Sequence, residues 1–73
     1  MHHERIESNP KIMDGKPVIR GTRVPVELIL RKLGAGVAIE AILADHPRLT
    51  DADIRAAQAF AADYLADEHI IYG

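Results

Sequence analysis

The stretch from Asp14 to Val26 constrains the fold more than any other part of this chain. It reads Asp-Gly-Lys-Pro-Val-Ile-Arg-Gly-Thr-Arg-Val-Pro-Val, so two glycines, two prolines and three cations are interleaved with apolar residues. Asp14-Gly15 is a two-residue turn signal, and Gly21 permits a second reversal at positive φ. The prolines fix φ where no ladder donor is needed. The pattern predicts a rigid, basic arm that doubles back before any helix begins.

Short β elements are expected in this arm, which is predicted to span about residues 5–25. Val18-Ile19 and the segment from Val24 to Val26 lie on either side of Gly21, and all of their residues except Pro25 are β-branched. This favours a short hairpin or a two-stranded ribbon. Arg5-Ile6-Glu7 alternates weakly in polarity, and the prolines restrict any strands here to sheet edges.

The spacing of apolar residues predicts three helices over about residues 26–66. The first runs from about Val26 to Leu33, and Gly34-Ala35-Gly36 ends it because glycine supplies a left-handed C-cap. The second is short and ends near Ala44 or Asp45, since Pro47 disfavours helix at the residue before it. The apolar stripe of the first helix comprises Val26, Ile29, Leu30 and Leu33, and that of the second comprises Ile39, Ile42 and Leu43.

The third helix is expected from Asp51 to about Ala66. Thr50 stands as its N-cap, and Asp53 completes a variant of the capping box. Seven of residues 51–66 are alanine, which suits either a close dimer contact or simply a strong helix. The core stripe is predicted to comprise Ile54, Ala57, Ala61, Tyr64 and Leu65, with Phe60 at its flank.

Length and composition indicate one domain over residues 1–73, with residues 67–73 as a tail in which Ile70-Ile71-Tyr72 is apolar. A chain this short buries only about 60% of its unfolded surface, which favours self-association as a homodimer. The chain has no cysteine and no apolar run long enough to span a membrane, so we expect a cytoplasmic location.

Charge is distributed unevenly along the chain. Residues 1–36 carry seven cations against four anions, a net charge of +3, and residues 37–73 carry two cations against seven anions, a net charge of −5. Two halves of opposite charge suit two partners of opposite charge. A solvated surface with uneven charge explains the composition equally well.

No catalytic, metal or cofactor site can be assembled from the sequence. The histidines are scattered, and no hydroxyl stands in a recognisable triad. Gly15-Lys16 is followed by Pro17 where a phosphate-binding loop needs Ser or Thr, and position 10 is not glycine. We therefore expect a protein that is not an enzyme and that uses no cofactor and no metal.

Nucleic-acid binding fits the pattern better, because three short helices with a glycine corner are compatible with a helix-turn-helix core. The first turn of the third helix, Asp51-Ala52-Asp53, would repel phosphate, so contacts should be mostly to the backbone. An alternative has Arg20 and Arg23 paired with acids of the C-terminal half or of a partner subunit. The candidate nucleic-acid-binding residues are Lys16, Arg20, Arg23, Arg48 and Arg55.

The string Gly15-Lys16-Pro17-Val18-Ile19-Arg20-Gly21-Thr22-Arg23-Val24-Pro25-Val26 resembles the family called domain of unknown function 433. Gly36, Glu40 with Ile42-Leu43, and His46-Pro47-Arg48-Leu49-Thr50 extend the resemblance. It implies a mainly α fold, a three-helix homeodomain-like (helix-turn-helix) bundle preceded by a short N-terminal β-hairpin or arm. It also implies a VapB-like antitoxin, often encoded beside a PIN-like ribonuclease toxin. The family usually opens the second helix with Ser or Thr, and Ala38 here should lose about 1 kcal/mol of capping.

Three functional hypotheses follow. The first is a homodimeric antitoxin that neutralises a PIN-like ribonuclease and binds its own promoter DNA. The second is a DNA-binding regulator without a toxin, and the third is a structural homodimeric interaction module that binds no nucleic acid. Gene neighbourhood and binding assays at low salt separate them.

Overall fold

The computed structural model describes residues 3–66, so the predicted tail at residues 67–73 lies outside the described residues. Three helices follow a short N-terminal β element, as expected. The elements are β1 (Ile6–Glu7), a 3-10 turn (Met13–Gly15), β2 (Val18–Ile19), α1 (Val26–Gly34), α2 (Ile39–Asp45) and α3 (Asp51–Leu65).

β2, which precedes Gly21, pairs with β1 and not with the segment that follows Gly21. β1 and β2 are antiparallel, with Ile6 opposite Ile19 and Glu7 opposite Val18. The expected pairing across Gly21 survives only as an isolated bridge between Val18 and Pro25. The Val26 N–H donates to the Pro17 carbonyl, but Pro17 has no N–H to return, and the Val24 N–H donates to the Thr22 hydroxyl, so the ladder ends there. β1, by contrast, can bury Ile6 against the core.

The segment Met13–Gly15 is a tight turn with Asp14 and Gly15 at its centre, as the sequence predicted, and it lies within the longer loop that joins β1 to β2. Met13 and Asp14 both have positive φ, 51° and 57°. The Lys16 N–H donates to the Met13 carbonyl at 3.1 Å and closes this turn. The chain reverses over several residues because β2 must return to β1, a partner well upstream of the turn.

α1 ends in a left-handed cap, as the glycine corner predicted. Gly36 has φ of 85°, its N–H donates to the Leu33 carbonyl at 3.0 Å, and the Val37 N–H donates to the Lys32 carbonyl at 2.9 Å. This pair of bonds satisfies the last carbonyls of the helix in a Schellman motif. Only glycine takes this conformation without strain, so the corner fixes where α2 starts.

The starts of α2 and α3 differ in the way their sequences predicted. Ala38 occupies the N-cap position of α2 and offers no side-chain hydrogen bond, and that helix is seven residues long. Thr50 caps α3, and its side chain and backbone exchange hydrogen bonds with Asp53 in a capping box. α3 therefore begins firmly at Asp51.

The core draws on both strands and all three helices. Its largest fully buried side chains are Val18, Ile19, Ile29, Ile42 and Ile54. α3 ends where predicted, but the assignment of Tyr64 and Leu65 to its core stripe was wrong, because Tyr64 is 67% exposed and Leu65 is 57% exposed. α3 is the longest helix of the described residues, and its last turn extends past the elements that cover Ile54 and Ala57. No helix in residues 3–66 has both the length and the apolar character needed to cross a membrane.

Candidate nucleic-acid interface

A cleft of about 580 Å³ separates the turn after β2 from the turn between α2 and α3. Arg23 enters it from the first turn and Arg48 from the second. The structure thus brings together two of the five predicted nucleic-acid-binding residues, which are 25 positions apart in the sequence. The remaining lining residues are Glu7, Ile12, Gly21, Thr22, Val24, Asp45, His46 and Pro47.

Arg23 is presented by a turn that is held by side-chain hydrogen bonds. The Thr22 hydroxyl donates to the Ile19 carbonyl at 2.7 Å and accepts from the Val24 N–H at 3.0 Å. Gly21 has φ of 80°, as predicted for this reversal. Because Thr22 ties both sides of the turn, the backbone of Arg23 is fixed while its side chain stays exposed.

Arg48 lies between Pro47 and the buried Leu49 in the helix-turn-helix turn. The Leu49 N–H donates to the His46 carbonyl at 2.9 Å, and the His46 N–H donates to the Ile42 carbonyl at 3.0 Å. Leu49 anchors this turn in the core, so its exposed neighbour Arg48 remains at the surface of the cleft.

The acids of the cleft are already paired, whereas the arginines are not. Glu7 lies 3.4 Å from Arg20, and Asp45 lies 3.5 Å from Lys32. Within residues 3–66, neither Arg23 nor Arg48 has an ion pair or a side-chain hydrogen bond. The cleft therefore presents two guanidinium groups that make no ion pair within residues 3–66.

Lys16 lies elsewhere, beside α1. Its Nζ is 2.9 Å from Glu27 Oε1, and Arg31 Nε is 3.4 Å from Glu27 Oε2. The Lys16 ammonium, with a smaller contribution from Arg31, lowers the pKa of Glu27 from its usual value of 4.5. Lys16 is thus partly neutralised and does not join the cleft.

Arg20 ties the arm together. Its guanidinium donates to the carbonyls of Glu4 and Ile6 and to the Glu7 carboxylate. The alternative in which Arg20 pairs internally describes this arrangement, although the acid belongs to the N-terminal half and not to the C-terminal half. Arg20 therefore stabilises the conformation of the arm.

Arg55 pairs with Asp51 one turn earlier on α3, at 2.7 Å. The Asp51 carboxylate raises the pKa of Arg55 above its usual value. An exposed pair of this kind is weak, and a stronger anion can displace it. In the described structure, however, the pair of Arg55 and Asp51 has no net charge. A helix that binds in a DNA groove would present an unpaired cation at this position.

Two contacts of the N-terminal segment were not predicted. Arg5 pairs with Asp53 at 3.1 Å, and His3 Nε2 lies 2.8 Å from Asp63 Oδ2 while its ring meets Phe60 edge-on. No local pattern links residues 48 and 60 positions apart, so the sequence carried no signal for either. Residues 3–66 contain no cluster of three or more side chains able to hold a metal.

Comparisons with known proteins agree with this architecture. The chain is 38% identical over 71 residues to the uncharacterized protein y4eO of Sinorhizobium fredii, covering 96% of this chain and 32% of that protein. It thus spans about a third of the length of this curated relative.

A crystal structure of a DUF433 member protein from Anabaena variabilis is similar with a TM-score of 0.78 and 29% identity, over 90% of this chain and 67% of that one. Residues 6–61 match the model of the family described as protein of unknown function, DUF433. The match includes the arm, all of α1 and α2, and most of α3, and the chain belongs to the DUF433 family.

Proposed function

We propose that this protein is a non-enzymatic, antitoxin-like module that binds its own promoter DNA through phosphate contacts and neutralises a PIN-like ribonuclease. One observation carries the DNA-binding part. Arg23 and Arg48, both exposed and both without an ion pair in residues 3–66, line one cleft. Two fixed turns present them, and the acids beside them are occupied by other cations.

Phosphate is the anion that suits such a pair. A guanidinium group is always charged and donates two parallel hydrogen bonds to phosphate oxygens. The helix-turn-helix turn carries one arginine and the arm carries the other, so both contact a backbone that lies across the cleft. Binding of this kind fixes position and carries little sequence information.

α3 adds little base recognition in this proposal. Arg55 is held by Asp51, and Asp53 is buried in the capping box. Binding is therefore dominated by electrostatics, and with two phosphate contacts per chain log K falls with log salt with a slope of about −2.

The ribonuclease part of the proposal is supported by the antitoxin role that the family resemblance implies and by the charge of the chain. Residues 37–73 have a net charge of −5. An acidic surface suits the basic cleft with which a ribonuclease holds RNA. Co-expression with the neighbouring gene tests this part, and failure to capture or silence any nuclease would remove it.

Fluorescence anisotropy with the upstream DNA tests the cleft. We expect Arg23→Ala and Arg48→Ala each to weaken binding and to reduce the salt slope by about 1. Arg31→Ala is the matched control, because Arg31 is an exposed cation on α1 that does not line the cleft. Equal losses in all three variants, or none in the cleft variants, would contradict the proposal.

A further inference from the structure

A second cavity, of about 590 Å³, lies between the arm, α1 and the end of α3. We call it the α1–α3 groove. Val26 and Leu30 line it from α1, and Phe60, Ala61 and Tyr64 line it from α3. It does not include Arg23 or Arg48, so it is separate from the cationic cleft.

The groove continues the core onto the surface. Tyr64 lies seven residues after Ala57, which puts the two on the same side of α3, yet Ala57 is fully buried and Tyr64 is 67% exposed. The Tyr64 ring stacks on Phe60, with centroids 6.3 Å apart. A stacked aromatic pair at the mouth of an apolar groove is the kind of anchor that dominates protein interfaces.

The charges at the rim indicate which partner fits. Lys16 and Glu27 are the charged residues that line the groove, and they pair with each other at 2.9 Å. Their net charge is zero, although the chain as a whole is segregated into a basic and an acidic half. The groove offers a nucleic acid no unpaired cation, because Lys16, the one cation among the described residues that line it, is paired with Glu27.

We propose that the α1–α3 groove is the site at which a second copy of this chain docks. A two-fold interface places the same patch on both sides, so each residue contacts its partner's counterpart reciprocally. A rim with one cation and one anion meets this condition, because Lys16 of each copy can face Glu27 of the other. Tyr64 of each copy then enters the groove of its mate. This inference does not rest on the proposed function.

Sedimentation equilibrium of the full chain tests the proposal, since a dimer has twice the 8.0 kDa chain mass. We expect a dimer whose dissociation constant rises about 30-fold in Tyr64→Glu, the ratio that corresponds to one lost hot-spot contact. Ala62→Glu is the matched control. Ala62 is exposed on the same helix, two positions from Tyr64, and so faces away from the groove.

Exchange of the rim charges provides a second readout at two exposed positions. Lys16→Glu should weaken the dimer, and Lys16→Glu combined with Glu27→Lys should restore it. The proposal is overturned by a monomeric wild-type chain, by a dimer that tolerates Tyr64→Glu or Lys16→Glu, or by one that Ala62→Glu weakens equally. The last result would place the contact on the alanine-rich face of α3.

Discussion

Arg5 Nη1 donates to Asp53 Oδ1 at 3.1 Å and joins the start of the arm to the first turn of α3. Asp53 is only 6% exposed. Its second oxygen accepts from the N–H and the hydroxyl of Thr50, at 3.0 and 3.2 Å. The buried Asp53 carboxylate thus takes part in the cap of α3 and also binds Arg5, which lies 48 positions earlier in the sequence.

Replacement of Asp53 should therefore destabilise the fold more than replacement of a neighbouring acid. We expect Asp53→Ala to lower the free energy of unfolding by about 2 kcal/mol, because the capping box and a hydrogen bond to a charged group are both lost. Urea denaturation measures the change. Asp51→Ala, which removes an exposed carboxylate from the same turn, should cost less than about 1 kcal/mol. Equal losses would mean that the buried network contributes nothing beyond surface charge.

Ala38 offers a route to a more stable protein. Its backbone already has the extended conformation of an N-cap, with φ of −67° and ψ of 147°. Ala38→Ser should add the missing side-chain acceptor and stabilise the fold by about 1 kcal/mol, which raises Tm by about 4–8 °C for a domain of this size. Ala44→Ser, within α2, is the control and should not raise Tm, since serine in a helix interior is unfavourable.

The two glycines of the helix corner should respond in opposite directions to alanine. Gly36 has positive φ, so Gly36→Ala should destabilise the fold by about 1–2 kcal/mol. Gly34 is the last residue of α1, and a Cβ there would meet nothing within 4 Å. Gly34→Ala should stabilise by up to about 1 kcal/mol. Thermal unfolding of the two variants measures both changes in stability. If both variants were stabilised or both destabilised, the assignment of Gly36 as the left-handed cap would be contradicted.

Acid should remove the contribution of Glu27. Its pKa is lowered in the folded state, so its stabilising effect is complete above the usual value of 4.5 and is lost as pH falls through the lower folded value. Glu27→Gln should therefore flatten the dependence of unfolding free energy on pH below 4.5. Glu40→Gln removes an exposed carboxylate of α2 that has no ion pair within residues 3–66. A pH profile unchanged by Glu27→Gln would show that the Lys16 contact is not maintained in solution.

Release of Arg55 should strengthen DNA binding if the proposed function holds. Asp51→Asn removes the carboxylate that holds Arg55 and also removes a negative charge from the first turn of α3. We expect tighter binding and a salt slope steeper by about 1. The double variant Asp51→Asn with Arg55→Ala should lose the steeper slope. If the double variant kept the steeper slope, the tighter binding would come from the loss of the Asp51 charge alone and not from Arg55.

The local features of the fold were predictable because they depend on neighbouring residues. The Thr50 cap, the glycine corner after α1 and the uncapped Ala38 each follow from a few adjacent positions. The partner of β2 was not predictable, because Ile6 and Val24 are both apolar and only the packed core decides between them. Tyr64 was misassigned because periodicity shows which side of a helix is apolar but not where the covering elements end.

The site was predictable as a set of cations but not as an arrangement. Sequence identified Arg23 and Arg48, yet it equally identified Lys16, Arg20 and Arg55, whose carboxylate partners lie nearby in space. Which arginines remain unpaired depends on where Glu7 and Asp45 lie, and that requires the folded chain. Arg23 and Arg48 stand out only after those acids are assigned to Arg20 and Lys32.

The contacts of the N-terminal segment have a consequence for the order in which this protein can mature. Arg5 and His3 meet Asp53 and Asp63, residues made 48 and 60 positions later. During synthesis β1 can pair with β2 early, but the surface of α3 that Arg5 and His3 contact exists only after most of the domain has been made. Helices can form early, but the N-terminal segment makes its final contacts late, and loosening that segment removes a contact near each end of α3.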